Sequence, residues 1–279
     1  MNPNDPTLQR CVAEALEEDI RSGDITAQLI PAHQRATATI LTREPMVLCG
    51  IAWVERTFHQ LDPGTSLQWQ LREGESAAAD QPLLMIEGNA RNLLTAERTA
   101  MNFLQTLSAT ATTTRHYVEQ LGESPTQLLD TRKTLPGLRA AQKYAVQCGG
   151  GYNHRMGLYD AFLIKENHIA ASGSIAAAVS RARTLAPERP VEVEVESLDE
   201  LAQALEAECD TIMLDNFTLT EMEAAVALSQ QRVKLEVSGN VSVEQLRAIA
   251  ATGVDYISIG ALTKHIRAID LSMRLSRSE

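Results

Sequence analysis

The sequence reads VEVEVE at residues 191–196, TIMLD at 211–215, KLEVSG at 234–239 and YISIG at 256–260. These four short apolar stretches alternate with segments whose apolar residues recur at helical spacing, which indicates parallel βα units. Two earlier stretches, QLLD (127–130) and FLIK (162–165), extend the alternation to six strands over about 135 residues. Six such strands predict an incomplete α/β barrel rather than an open sheet.

The first part of the chain has a different pattern. It predicts a helix at Pro6–Ile20, strand material at 34–48, a helix at 51–61, and strands at 67–71 and 82–87. Residues 92–121 lack proline and glycine and carry a dense apolar pattern, so we expect one long helix that ends before Gly122. The fold class is therefore α/β, with a small α+β unit ahead of the barrel.

The composition limits the kinds of partner. Hydrophobic residues make up 44% and charged residues 22% of the 279 residues, as in soluble globular enzymes. The formal net charge of −11 opposes nonspecific binding to nucleic acid and to anionic membranes, so we expect no nucleic-acid partner and no membrane partner. An anionic ligand must then be bound by a local cluster of positive side chains.

The cysteines and the N-terminal segment favour a reducing compartment. The four cysteines are Cys11, Cys49, Cys148 and Cys209, and none forms a CxxC pair. The segment MNPNDPTLQR lacks the layout of a signal peptide, and no apolar run approaches the ~20 residues that span a bilayer. We therefore expect a soluble cytoplasmic protein.

A basic cluster lies between residues 130 and 165. It contains six cationic side chains against two acidic ones, and the six are Arg132, Lys133, Arg139, Lys143, Arg155 and Lys165. Their spacing is not helical, so they do not form one exposed helix face. Arginine binds carboxylate and phosphate through paired hydrogen bonds, and lysine binds them as a point charge. The alternative is a set of surface salt bridges.

Three consecutive glycines at 149–151 precede His154 and Arg155. Glycine is favoured where the backbone must approach another group closely or adopt a positive φ. The run could therefore present backbone amides and positive side chains together. The alternative is a plain flexible loop.

Carboxylates occur on or just after the later strands. In VEVEVE the valines alternate with Glu192, Glu194 and Glu196, and valines packed under helices would direct these glutamates into the barrel lumen or its mouth. Such carboxylates need a cation or a metal nearby, unless this is an edge strand with a solvated acidic face. Asp215 ends TIMLD, where it can bind ribose hydroxyls or hydrated Mg²⁺, or cap the next helix.

Two glycine turns follow the last two strands, one at Ser238, Gly239 and Asn240, the other at Ile259, Gly260 and Ala261. Backbone amides at such turns bind phosphate, and the last two strands of an α/β barrel are the usual phosphate site. We expect the phosphate of a substrate to bind here.

Long motifs, in order along the chain, resemble one enzyme family. They are RTAMNFLQTLSATAT (98–112), DTRKTLPGLRAAQKYAVQCGGGYNHRMGLYDAFLIKENH (130–168), VEVEVES (191–197), IMLDNF (212–217), EVSGN (236–240) and GVDYISIGALTK (253–264). Over nearly its whole length the chain resembles quinolinate phosphoribosyltransferase, the carboxylating nicotinate-nucleotide pyrophosphorylase. The resemblance implies an N-terminal α/β sandwich domain (1–108, joined by the tail 268–279), a C-terminal incomplete α/β barrel (109–267), and a homodimer or an assembly of dimers.

The resemblance also implies a reaction. The family transfers a phosphoribosyl group from phosphoribosyl pyrophosphate to quinolinate with Mg²⁺. It releases nicotinate mononucleotide, pyrophosphate and carbon dioxide in NAD biosynthesis. The catalytic residues implied are Lys133, Lys165, Glu194 and Asp215, and the last two are also implied as the residues nearest Mg²⁺.

The substrate-binding residues implied by the resemblance lie at the strand ends and on the long helix. They are Arg98, Thr131, Arg132, Lys133, His154, Arg155, Lys165, Glu194, Asp215, Ser238, Gly239, Asn240, Ile259, Gly260 and Ala261. In the family the arginine matching Arg98 reaches the neighbouring subunit's site, and Arg43 is implied to do likewise. Lys264 stands where some relatives carry histidine.

Three other interpretations compete with this one. A barrel aldolase would use Lys133 or Lys165 as a Schiff-base nucleophile, which requires a desolvated lysine. A paralogue, such as the molybdenum-transport-associated proteins of similar sequence, would use another base or no catalysis, but the presence of Arg98, Arg132, Arg155 and Lys165 favours the enzyme. A non-enzymatic binding protein would leave the convergence of cations, carboxylates and phosphate turns without a purpose.

Overall fold

The computed structural model describes residue 2 and residues 4–239 and 241–277. The helices are α1 (Pro6–Ile20), α2 (Ile51–Leu61), α3 (Ala90–Leu121), α4 (Arg139–Cys148), α5 (Glu166–Ser172), α6 (Ile175–Leu185), α7 (Leu198–Glu206), α8 (Leu219–Ser229), α9 (Leu246–Ala251) and α10 (Ala261–Lys264). The strands are β1 (Arg35–Thr42), β2 (Met46–Val47), β3 (Ser66–Trp69), β4 (Ser76–Ala77), β5 (Pro82–Asn89), β6 (Gln127–Leu129), β7 (Phe162–Ile164), β8 (Val191–Val195), β9 (Thr211–Asp215), β10 (Lys234–Ser238), β11 (Tyr256–Ser258) and β12 (Leu271–Arg277). Short 3₁₀ helices occupy Ala27–Leu29 and Val243–Gln245.

The described chain divides into two compact units. The first unit comprises the described residues within 1–115, 134–150 and 262–279, and the second comprises 116–133 and 151–261. The predicted domains, 1–108 with the tail 268–279 and 109–267, stay a prediction, because compactness does not test which segments fold independently.

A four-stranded antiparallel sheet lies in the first unit, in the order β12-β1-β5-β3. Its core contains fully buried side chains such as Ile40 on β1, Leu84 on β5 and Leu93 on α3. Helix α1 begins where the Asp5 carboxylate accepts hydrogen bonds from the N–H groups of Thr7 and Leu8, because the first turn of a helix has no internal acceptors. The predicted α/β sandwich class is confirmed for this part of the chain.

Six parallel strands form the sheet of the second unit, in the order β6-β11-β10-β9-β8-β7. Each of the six strands predicted from the sequence is present, and all five pairings are parallel. Among the described residues β6 and β7 each pair with only one strand of the sheet, so the sheet is an incomplete barrel. Parallel strands end at a common edge, and in this fold the chemistry occurs at their carboxyl ends.

Strand β8 shows why VEVEVE alternates. Val191, Val193 and Val195 are fully buried, whereas Glu192 and Glu194 face the other way. Strand β8 pairs with both β7 and β9, so the edge-strand alternative is wrong. Glu196 lies beyond the strand and is exposed.

Helix α4 lies inside the segment that carries the predicted basic cluster. Arg139 begins α4 and Lys143 is fully buried within it, and both belong to the first unit. The helix forms because its small apolar residues, such as Ala141 and Ala145, bury one face. The sequence did not predict this helix, and the other four cations belong to the second unit.

Candidate active site

A cavity of about 340 Å³ opens at the carboxyl ends of the second unit's strands. Its lining residues come from all six strand ends and are Thr131, Arg132, Lys133, His154, Arg155, Leu163, Lys165, Glu194, Met213, Glu236, Ser238 and Ser258. Four of the predicted cations and one predicted carboxylate, Glu194, therefore meet in one cavity. The alternative of scattered surface salt bridges is wrong for these four.

Arg132 and Arg155 give one part of this cavity a positive charge. The pKa of Arg155 is lowered from its ordinary value by burial and then by repulsion from Arg132. The Arg155 guanidinium is held in place because its Nη1 donates to the Ala161 carbonyl at 3.0 Å. Two positive groups that repel each other are stabilised by a bound anion, so this part of the cavity suits a carboxylate or a phosphate.

Lys165 forms an ion pair with Glu194. Lys165 follows β7 and Glu194 lies on the neighbouring strand β8, which is paired with β7 in parallel. The Glu194 side chain is only 10% exposed, so the pair is partly shielded from water. The Lys165 amine therefore lies against a carboxylate and not in the apolar pocket that activates a Schiff-base lysine, which disfavours the aldolase alternative.

Lys133 crosses the turn that follows β11. A β-carbon at Gly260 would lie 2.7 Å from Lys133 Cδ and 3.4 Å from Thr131 Oγ1, so a side chain there would displace the lysine. The Lys133 backbone N–H donates to Thr131 Oγ1 at 3.1 Å. Glycine at 260 thus lets Lys133 lie over the end of β11, beside the predicted phosphate turn.

His154 is held between the backbone and two buried carboxylates. Its Nε2 lies 2.9 Å from Glu192 Oε2 and 3.5 Å from Glu236 Oε2. Its Nδ1 accepts from the Arg155 N–H at 2.7 Å, and its own N–H donates to Asp130 Oδ1 at 2.9 Å. The Nδ1 contact requires the tautomer or protonation state that carries a proton on Nε2.

Burial raises the pKa of Glu236 to about 8, with repulsion from Glu192 as the next cause and His154 acting in the opposite direction. The Oε1 atoms of Glu192 and Glu236 have no hydrogen-bond partner among the described residues. A proton on Glu236 lowers the cost of burying these two carboxyl groups next to each other.

Several predicted site residues lie at the edge of the cavity or elsewhere. Asp215 ends β9 beside Ser238 in register, and its Oδ2 accepts from Asn216 Nδ2 at 2.8 Å. The next helix is capped by Thr218, so the prediction that Asp215 caps it is wrong. Gly239 follows β10 with a φ of +99°, and Asn240 lies outside the described residues.

The remaining predicted residues occupy three places. Ile259 is buried after β11, and Ala261 begins α10. Arg98 is exposed on α3 and lines a different cavity, of about 390 Å³, within the first unit. Arg43 pairs with Asp80 at 3.1 Å and Lys264 ends α10, both also in the first unit.

Sequence reasoning missed the roles of Asp130, Glu192 and Glu236 in holding His154. The signal for Glu192 was present, because it belongs to the inward face of VEVEVE. The same alternation occurs in KLEVS, where Glu236 stands between the buried Leu235 and Val237.

Both parts of the chain match one family. Residues 24–108 match the family model described as quinolinate phosphoribosyl transferase, N-terminal domain, and residues 110–274 match the corresponding C-terminal domain. The chain belongs to the quinolinate phosphoribosyltransferase family. The resemblance inferred from the motifs is therefore confirmed.

Members of the quinolinate phosphoribosyltransferase family align with nearly the whole chain. It is 43% identical to the carboxylating nicotinate-nucleotide pyrophosphorylase of Mycobacterium leprae, with 95% of each chain covered. It is 39% identical to a probable enzyme of the same name from Bacillus subtilis, with 97% of this chain and 94% of the relative covered. The structure of the nicotinate-nucleotide pyrophosphorylase from Francisella tularensis is similar with a TM-score of 0.95 and 49% identity, covering 99% of this chain and 98% of the other. None of the described helices is long and apolar enough to cross a membrane.

Proposed function

We propose that this protein is a decarboxylating quinolinate phosphoribosyltransferase, a pentosyltransferase of NAD biosynthesis. It transfers a phosphoribosyl group from phosphoribosyl pyrophosphate to the quinolinate nitrogen and releases nicotinate mononucleotide, pyrophosphate and carbon dioxide. The observation that supports this proposal best is the cavity in which Arg132, Lys133, Arg155 and Lys165 converge at the strand ends. Quinolinate carries two carboxylates and the sugar donor carries phosphates, so both substrates need such positive charge.

The cations bind quinolinate in this proposal. Arg132, Arg155 and Lys165 bind its carboxylates. His154 already has protein partners at both ring nitrogens, so it acts by fixing the backbone of Arg155 and by closing the cavity floor. The bound diacid is thereby oriented with its ring nitrogen toward C1′ of the sugar, and this orientation lowers the barrier to attack.

The carboxylates and the glycine turns bind the sugar donor. Glu194 and Asp215 accept hydrogen bonds from ribose hydroxyls, and the turns at Ser238 and Gly260 bind the 5′-phosphate. As pyrophosphate leaves, nearby carboxylates stabilise the positive charge that develops at C1′. After the nitrogen attacks, the positively charged ring accepts the electron pair of the bond to the C2 carboxylate, which departs as carbon dioxide, and C2 then takes up a proton from solvent.

Mg²⁺ is part of the proposal, and the donor set suits it. Glu194 and Asp215 supply carboxylate oxygens, which Mg²⁺ prefers, and substrate phosphates supply the rest. Glu194 is already paired with Lys165, so Asp215 is the carboxylate better placed to hold the ion. When bound, Mg²⁺ neutralises charge on the departing pyrophosphate.

We further propose a homodimer, or an assembly of dimers, in which Arg98 completes the partner's site. Arg98 is exposed on α3 in the single chain. A side chain that reaches a neighbouring subunit's site must be exposed before the subunits assemble. Arg43 is proposed in the same role. We propose a cytoplasmic location, which the four free cysteines support.

A product assay tests the function. Quinolinate, nicotinate and nicotinamide are each supplied separately with phosphoribosyl pyrophosphate and Mg²⁺. The quinolinate is labelled in its C2 carboxylate, and the assay measures released pyrophosphate and labelled carbon dioxide. We expect equal amounts of both products with quinolinate and neither with the other two acceptors. Pyrophosphate release with nicotinate but not with quinolinate would overturn the proposal.

A trapping experiment separates the proposal from the aldolase alternative. Borohydride reduction in the presence of a carbonyl substrate would attach that substrate to Lys133 or Lys165 in an aldolase. We expect no such adduct by mass spectrometry of the intact chain.

A further inference from the structure

Cys49, Glu73 and Cys148 come together in the first unit, where the proposed reaction uses none of them. The two sulfurs and a Glu73 oxygen all lie within 4.8 Å of one another. The distance between Cys148 Sγ and Glu73 Oε2 is 3.9 Å. Cys49 is fully buried, and Cys148 and Glu73 are half-buried.

These separations are close to those of a tetrahedral metal site. Zinc bonds of about 2.3 Å to sulfur and about 2.0 Å to oxygen place neighbouring ligand atoms roughly 3.5–3.8 Å apart. The three side chains therefore need only small rotations to share one ion.

The backbone around this group fixes its ligand atoms. Glu73 Oε1 accepts from the N–H groups of Gly50 at 3.1 Å and Ile51 at 2.8 Å, where α2 begins. The Cys49 N–H donates to Ser108 Oγ at 3.0 Å, and the Ser108 hydroxyl donates to the Cys49 carbonyl at 3.0 Å. Such outer contacts are typical of metal-ligating residues, because they set ligand orientation before the ion arrives.

The other cysteine of the group is held equally firmly. Arg115 donates from Nη2 to the Cys148 carbonyl at 3.3 Å and from Nε to the Gly149 carbonyl at 3.0 Å. Cys148 ends α4, so the last turn of that helix and the start of α2 meet at this group.

We propose that Cys49, Glu73 and Cys148 bind a divalent ion of the zinc class. A disulfide would use only the two sulfurs, whereas a Glu73 carboxylate oxygen also lies within 4.8 Å of both of them. A divalent ion uses all three groups and offsets the charge of thiolates and carboxylate in a half-buried place. The site is distinct from the proposed Mg²⁺ position, because Mg²⁺ prefers oxygen ligands and zinc accepts sulfur.

Cobalt binding tests the site in the full-length protein, reduced and stripped with a chelator. Co²⁺ bound to thiolate gives a charge-transfer absorption in the ultraviolet, which reports sulfur ligation directly. We expect one equivalent of Co²⁺ to produce this band and one equivalent of Zn²⁺ to remove it. Excess Mg²⁺ is expected to leave it unchanged.

Variants locate the ion. Cys148→Ser and Glu73→Gln are expected to weaken Zn²⁺ binding at least about tenfold, measured by competition with a chromophoric chelator. Cys11→Ser is the matched control and keeps wild-type affinity, since Cys11 lies outside the group. Circular dichroism of each variant excludes unfolding as the cause.

Three outcomes would overturn the site: no thiolate band in the wild-type protein, an unchanged band and Zn²⁺ affinity in Cys148→Ser, or a Cys49–Cys148 disulfide formed with no metal bound. All three readouts are independent of transferase activity, so failure of this site and failure of the proposed function are distinguished.

Discussion

Glu236 is about 1% exposed, and its carboxylate faces Glu192 and His154. Its pKa is raised from an ordinary value of 4.5 to about 8, so the folded state binds its proton more tightly than the unfolded chain does. The stability that this proton provides is complete below pH 4.5 and is lost as the pH rises through 8. Between those values the unfolding free energy of the wild-type protein should therefore decrease as the pH rises.

Glu236→Gln tests this pH dependence, because glutamine resembles the protonated carboxyl and cannot ionise. We expect the unfolding free energy of the variant, relative to wild type, to increase as the pH rises from about 5 to 8. Urea unfolding followed by circular dichroism at several pH values measures it. If the difference between the two proteins were constant over this range, Glu236 would not carry the proton.

Lys165→Ala removes the partner of Glu194 and, in the proposed reaction, a group that binds a substrate carboxylate. Removal of a cation that binds a substrate carboxylate should lower kcat/KM for quinolinate roughly a hundredfold, which is about 3 kcal/mol of transition-state stabilisation. Lys234→Ala is the control, since Lys234 pairs with Asp255 on the same sheet but 60% of its side chain is exposed. Steady-state kinetics that gave near-normal kcat/KM for Lys165→Ala would contradict the assignment.

For individual residues, the sequence predicted which cationic side chains share the cavity. It did not predict all of the contacts that fix the positions of the cavity residues. Arg132, Arg155 and Lys165 were predicted to share a cavity because they follow strands whose ends meet. The position of Glu236 was not predicted, since its pairing with His154 depends on the register of β10 against β11 and of β11 against β6. Register across strands is set by packing that a single chain segment does not reveal.

Helix α4 packs closely against α3 at Gly149, the residue that follows its last turn. A β-carbon at Gly149 would lie 2.5 Å from Thr114 Cβ and 2.5 Å from the Ala111 carbonyl oxygen. The glycine triplet is thus explained in part by close approach, and the alternative of a plain flexible loop does not fit Gly149.

Gly149→Ala should therefore lower the unfolding free energy by about 1–3 kcal/mol, the usual cost of overpacking. Gly64→Ala is the control, because the atom closest to its new β-carbon is an Asp62 side-chain oxygen at 3.2 Å, which can move. Urea denaturation of both variants measures the difference. Equal midpoints for Gly149→Ala and wild type would show that α3 and α4 separate at little cost.

Strands and helices with a strong periodic pattern were predictable, and α4 was not. The helix expected at 92–121 is α3 (Ala90–Leu121), and all six strands of the parallel sheet are present. Helix α4 was not predicted because Arg139, Gln142 and Lys143 interrupt its apolar pattern in the sequence. In the structure, however, the Gln142 and Lys143 side chains are fully buried. Burial of such long polar side chains depends on tertiary contacts rather than on local pattern.

At the scale of the whole molecule, the chain has a net charge of −11, yet four cationic side chains line one cavity. The negative charge elsewhere disfavours nonspecific binding of polyanions, while the local cluster still binds a small diacid. The composition predicted this contrast, whereas the assembly of subunits rests on the resemblance of the motifs and has to be tested by mixing variants.

Arg98 and Arg132 provide that test, because in the proposed dimer they reach one active site from different subunits. Arg98→Ala and Arg132→Ala homodimers should each be nearly inactive. Random exchange of subunits gives half heterodimers, and each heterodimer has one site with both arginines intact. Activity should therefore recover to about one quarter of the wild-type value. The measurement is pyrophosphate release after the two variants are co-refolded from denaturant at equal concentration.

The control for this recovery is a mixture of Arg132→Ala with Lys165→Ala. Both of these residues line the cavity of the same second unit, so each site of a heterodimer carries one defect whichever subunit supplies Arg98. No recovery is expected in this mixture. Recovery in neither mixture would mean that Arg98 acts within its own subunit, and recovery in both would contradict the placement of Arg132 and Lys165 in one site.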